Sequence, residues 1–110
     1  MTDETCNGYA NRETWAFNLH WQNDQGLYRQ TLEEARQIIK QDSIYSTPGD
    51  RELGERIVNY WRDVFDGYDA DGTPMTQTLR MFEREVGSWW RINYAEVGAA
   101  VRESLDAEGL

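Results

Sequence analysis

A single cysteine, Cys6, excludes an internal disulfide, and a single histidine beside it cannot complete a structural zinc site. A reducing cytoplasm, that of a host cell, is therefore the expected compartment. Apolar runs are short. None approaches the roughly 18 residues that a membrane-spanning helix needs. The opening Met1-Thr2-Asp3-Glu4 is acidic, the opposite of a secretory leader. Lysine is nearly missing as well: ten of the eleven basic residues are Arg and one is Lys40. Against these stand 20 acidic residues and a net charge of −9, a balance that disfavours direct binding to nucleic-acid phosphates and suits a basic protein partner. There are only two prolines, so most of the chain is free to be helical.

What is abundant is aromatic. Five Trp, six Tyr and three Phe in 110 residues supply large buried areas and argue against disorder. One domain spanning 1–110 is expected, with residues 1–10 as a leader and turn. Asn7-Gly8 is a turn dipeptide, Asn11 reads as a helix N-cap, and Glu13 puts a carboxylate in the first turn, where the helix dipole favours it. The helix that follows, to about Asn23, is apolar on two sides. At about 100° per residue, Trp15, Ala16, Leu19 and His20 cover one side and Phe17 and Trp21 another, leaving Asn18 and Gln22 as the polar stripe. Such a helix belongs at the centre of a fold.

After Asp24-Gln25-Gly26, a second helix is expected over 27–41, with Leu27, Tyr28, Leu32, Ala35, Ile38 and Ile39 within about 140° of arc. A loop over 42–50 leads to a third helix reaching about Phe65, whose face carries Leu53, Ile57, Val58, Tyr60, Trp61, Val64 and Phe65. Gly54 falls inside that face, where it would permit a close approach of another helix. Asp66 to Gly72 reads as an acidic loop, and Thr73-Pro74 as the start of a fourth helix burying Met75, Leu79, Phe82 and Val86. Gly87-Ser88 weakens it. Adjacent Trp89 and Trp90 diverge by about 100°, so both can be buried only if the helix breaks there. Asn93-Tyr94-Ala95-Glu96 is a capping-box pattern for a fifth helix ending near Ala107. The expected architecture is an all-α bundle of about five helices around the N-terminal aromatic one.

Catalytic patterns are thin. His20, four residues before Asp24, could serve as an oriented general base, but a core-edge histidine bonded to backbone is the favoured reading. If Gly72 took position six of a calcium loop, positions one and twelve would be Gly67 and Thr78, so an EF-hand is rejected. The pairs Glu33/Glu34, Asp69/Asp71 and Glu83/Glu85 read as solvated acids. No cofactor, metal or enzyme activity is expected.

The run Asn7-Gly8-Tyr9-x-Asn11-x-Glu13-Thr14-Trp15, then Leu19 and Asn23-Asp24-x-Gly26-Leu27-Tyr28, resembles a family of small proteins of phages, plasmids and archaeal viruses. Ile92-Asn93-Tyr94-x-Glu96-Val97 resembles that family's closing pattern. The resemblance implies a protein of a mobile genetic element and transfers no activity. A small acidic protein in that setting suits an inhibitor of host defence, such as an anti-CRISPR or antirestriction protein that occupies a basic nucleic-acid-binding surface. Its contact residues would be Asp63, Asp66, Asp69, Asp71, Glu83 and Glu85, with Tyr45 and Tyr68 among the acids. The alternative is a helical adaptor that binds through exposed aromatics, Tyr45, Tyr68 and Trp90, and that can pair with itself.

Overall fold

A computed structural model describes residues 8–42, 47–72 and 74–109, apart from the side chains of Asp42, Asp69 and Asp71. Five helices follow in order: α1 Arg12–Asn23, α2 Gln25–Asp42, α3 Asp50–Asp71, α4 Gln77–Val86 and α5 Tyr94–Ala107, with a short 3₁₀ turn at Trp89–Arg91 before α5. Among the described residues there is no strand, and the fold is the all-α bundle expected. No described helix is long and apolar enough to cross a membrane.

Local chemistry sets the helix ends. Asn11, with extended backbone, accepts the Thr14 N–H at 2.9 Å and so caps α1. Asp24 both ends α1 and caps α2, its Oδ1 accepting the Leu27 N–H at 2.9 Å. The connection is therefore one residue, and α2 starts at Gln25 rather than Leu27. Thr76, not Thr73-Pro74, opens α4: its hydroxyl accepts the Leu79 N–H at 3.2 Å, and Pro74 and Met75 lie before the helix.

Asp66 to Gly72 is not a loop. The third helix runs through it to Asp71 and stops at Gly72, whose φ is +70°. Extending an existing helix fixes one residue per hydrogen bond, far cheaper than starting one. Tyr68, half-buried seven residues after Trp61, continues the apolar face and offsets the helix cost of Gly67.

Two packing features organise the interior. The broadest helix–helix contact is α3 against α5, while α1 touches α2, α4, α5 and the 3₁₀ turn. At the α3–α5 crossing Gly54 and Gly98 face the opposite backbone. A Cβ on Gly54 would stand 2.7 Å from the Tyr94 carbonyl carbon and 2.8 Å from the Gly98 nitrogen, and one on Gly98 would stand 2.9 Å from Asp50 Cα. The close approach expected at Gly54 is real, and it is reciprocal. The second feature is a ring cluster around the fully buried Phe82, with centroids of Phe17 at 5.3 Å, Trp61 at 5.3 Å, Trp89 at 5.6 Å, Phe65 at 5.7 Å and His20 at 5.8 Å. It joins α1, α3, α4 and the 3₁₀ turn.

The central place given to α1 holds for most of its circumference: Phe17, Trp21 and Ala16 are buried and Trp15 and His20 half-buried, but Leu19 is exposed. Asn18, assigned to a polar outer stripe, is fully buried, because its Oδ1 accepts the indole N–H of buried Trp21 at 2.8 Å. That bond gives the indole nitrogen a partner inside the core.

Candidate interaction face

The stretch from Gly87 to Glu96 is where helical order is interrupted, and it gathers the two sequence motifs. Gly87 ends α4 at φ +77°, a conformation that favours glycine. The guanidinium of Arg12 meets the freed carbonyls: Nη1 donates to Glu85 O at 2.8 Å and Nη2 to Val86 O at 2.9 Å. A cation there also complements the negative end of the helix dipole. The 3₁₀ turn is closed by Arg91 N–H to Ser88 O at 3.0 Å and Ile92 N–H to Trp89 O at 3.2 Å.

The motif ends then interlock. Asn11 Nδ2 donates to Arg91 O at 2.7 Å, and the Asn93 N–H donates to Thr14 Oγ1 at 2.8 Å. Asn93 Oδ1 caps α5 by accepting the Glu96 N–H at 3.2 Å. In a capping box Glu96 would reach back to the Asn93 N–H. Here Thr14 has taken that donor, and the Glu96 carboxylate instead accepts the Ala10 N–H at 2.7 Å. The opening and closing patterns are two halves of one hydrogen-bonded joint.

That joint separates the paired tryptophans. With about three residues per turn, neighbours on a 3₁₀ helix point about 120° apart. Trp89 turns inward, its indole N–H donating to Glu83 O at 3.1 Å and its ring against Phe82. Trp90 turns out and is 78 % exposed, the most exposed large apolar residue described. The Arg91 guanidinium carbon lies 5.9 Å from its ring centroid. Beside it is an open hollow of about 480 Å³ that includes Arg62, Asp66, Glu83 and Ser88.

The acids expected to form a contact face are only partly brought together. Asp66, exposed, and Glu83, half-buried, line the Trp90 hollow. Asp63 lines a different hollow with Glu34, Arg56 and Tyr60. Glu85 is exposed on α4, and Tyr68 is half-buried on α3. Asp69 and Asp71 lie in the last turns of α3, and Tyr45 lies outside the described residues. Arg62 shares the hollow of Asp66 and Glu83, and exposed Arg80 and Arg84 alternate with Glu83 and Glu85 along α4. Around this hollow and along α4 the acids are interleaved with cations.

His20 is half-buried and stacked on Phe82, at an interplanar angle of 27°. The Asp24 carboxylate, its expected orienting partner, accepts the Leu27 N–H instead. Packing on a ring, rather than a backbone bond, is what holds this histidine. Among the described residues no group of three or more His, Cys, Asp or Glu side chains could hold a metal ion. On the opposite flank, the Tyr28 hydroxyl donates to Glu108 Oε1 at 2.7 Å, and this bond raises the phenol above its ordinary pKa of 10.0.

Residues 2–93 match a family of unknown function, DUF7249. The chain belongs to this family. No curated protein matches the chain, and no solved structure does.

Proposed function

We propose that the protein is a non-enzymatic binding module that seats Trp90 against a basic surface of another protein. The observation that carries this reading is the exposure of Trp90, 78 % on a hydrogen-bonded turn, while the neighbouring Trp89 is packed inward. Tryptophan is among the residue types most enriched at the energetic centres of protein interfaces. Asp66 and Glu83 beside it, on a chain of net charge −9, suit a positively charged partner.

The acids at the end of α3 add support. Asp69 and Asp71 fall in the last turn of α3, where the dipole disfavours negative charge, and no basic residue occupies that turn. Helix stability does not account for them, and a contact with a cationic partner would. Inhibition of a CRISPR effector or restriction enzyme from a mobile element is the special case in which that partner is a nucleic-acid-binding groove. The cations interleaved among the acids favour an aromatic-anchored contact over plain imitation of a phosphate backbone.

The test is capture of partners on the immobilised protein from the cell that carries the gene, comparing wild type with Trp90→Ala and with Asp66→Asn/Glu83→Gln. A basic protein should be retained by wild type, lost with Trp90→Ala, and recovered less as ionic strength rises. Retention of the same proteins by Trp90→Ala defeats the reading. Relief of nuclease inhibition by the same substitution would select the special case.

A further inference from the structure

We infer that Asn11 and Arg12 are positioning residues for Trp90: the first turn of α1 fixes the direction in which the 3₁₀ turn presents that indole. This rests on the Trp90 reading above and identifies what holds the contact in place. Left to itself, the turn has two backbone hydrogen bonds, Arg91 N–H to Ser88 O and Ile92 N–H to Trp89 O. A single helical turn in water does not persist on so few.

Beside the inward packing of Trp89, the start of α1 grips both sides of Trp90. On the entry side the Arg12 fork spans two successive carbonyls, Glu85 O and Val86 O, just before the chain reverses at Gly87. On the exit side Asn11 Nδ2 holds Arg91 O, while its Oδ1 caps α1 through the Thr14 N–H. One asparagine therefore ties the start of α1 and the end of the turn to the same amide group. Two consecutive residues clamp a segment more than seventy positions away (|i−j| of 80, 73 and 74 for the three bonds). A loop held before binding has less freedom to lose on binding, so the clamp should appear in affinity as well as in dynamics. Arginine is suited to the entry grip because its planar fork addresses two acceptors at once, which an ammonium on a flexible stem does not reproduce.

The deciding experiment pairs hydrogen exchange of the Arg91 and Ile92 amides with the capture assay, in Arg12→Gln, Arg12→Lys and Asn11→Asp. Asn11→Asp keeps the α1 cap and loses the donor to Arg91 O. Thr31→Val, which removes the buried bond to the Trp61 indole, is the control for general destabilisation. The Arg12 and Asn11 variants should exchange those two amides about tenfold faster or more. Amides of α3 should keep their rates, and partner retention should fall with Trp90 still present. Thr31→Val should leave the two amides and retention alone. Unchanged exchange at Arg91 and Ile92, or an equal acceleration throughout the chain, overturns the inference. Faster exchange with undiminished capture overturns it too, leaving the Trp90 reading standing. Trp90→Ala without effect on capture defeats that reading, and the inference with it.

Discussion

Replacing Gly54 by alanine should destabilise the protein although alanine is the better helix former. In an open helix interior the change gains roughly 0.8–1.0 kcal/mol. At Gly54 the new Cβ would come within 2.7 Å of the Tyr94 carbonyl carbon and 2.8 Å of the Gly98 nitrogen, and closer still to the Tyr94 oxygen. All three are backbone atoms of the opposing helix, so no side chain can swing aside. The helices must part, and a gap of about 0.5–1 Å forfeits a quarter to a half of each dispersion contact along the interface. Leu53, Ile57, Val97 and Val101 are among the core residues α3 and α5 contribute. Overpacking of this kind costs about 3 kcal/mol or more at its upper end, which leaves a net loss of about 2 kcal/mol against the propensity gain. For a domain of this size that is a fall in Tm of about 8 °C. Gly67, on the same helix, has nothing within 4 Å of such a Cβ. There Gly→Ala should raise Tm by about 2–4 °C. Thermal unfolding followed by circular dichroism compares the two directly. A rise for Gly54→Ala matching that for Gly67→Ala would refute the close approach of α3 and α5.

Other outcomes follow from single contacts. Thr31→Val leaves the buried Trp61 indole N–H, now bonded at 3.0 Å, without its acceptor and should cost about 1–3 kcal/mol in urea unfolding. Asp71→Asn removes a charge from the wrong end of α3 and should raise stability by about 0.3–1 kcal/mol, an effect that shrinks with salt. The hydrogen bond to the Glu108 carboxylate, then desolvation, raises the Tyr28 phenol above 10.0. The protonated phenol is thus the form that folding favours, and its contribution is complete below pH 10 and lost as pH climbs through the raised value. Spectrophotometric titration should find the Tyr28 phenol ionising above its ordinary 10.0, and Glu108→Ala should lower it.

How much of this was legible in the sequence divides by the kind of signal. Helical periodicity located the faces of α2, α3 and α5, because a stripe of Leu, Ile, Val and Trp needs no knowledge of its partner. Gly54 stood out as a gap in such a stripe. Gly98, which meets α3 from the other helix, did not, since nothing local distinguishes it from a tolerated glycine. The acidic stretch after Phe65 has the composition of a turn, yet Tyr68, at helical spacing from Trp61, prolongs the apolar face and the helix with it. Asn18 was misplaced for a related reason: its side chain answers the Trp21 indole, a demand that an apolar–polar pattern does not encode. Among the site residues, Asp66 and Glu83 line one hollow, whereas Asp63 lines a different one. Arg12 carried no signal in sequence, because its acceptors are backbone carbonyls of Glu85 and Val86.

The interruption after Val86 unites these threads. Had α4 continued, Trp89 and Trp90 would have lain on an ordinary helix and neither would be displayed on a turn. Gly87 breaks it, Trp89 keeps the inward place beside Phe82, and the 3₁₀ geometry then leaves Trp90 the outward direction. The chain commits Asn11, Arg12 and Thr14 to hydrogen bonds that keep the segment from Glu85 to Asn93 in this course. A purely structural account explains why Asn11 and Thr14 cap α1 and receive α5. It does not explain an indole held out in water by that same joint, and this is the reason to look for function at Trp90 rather than along the acids alone.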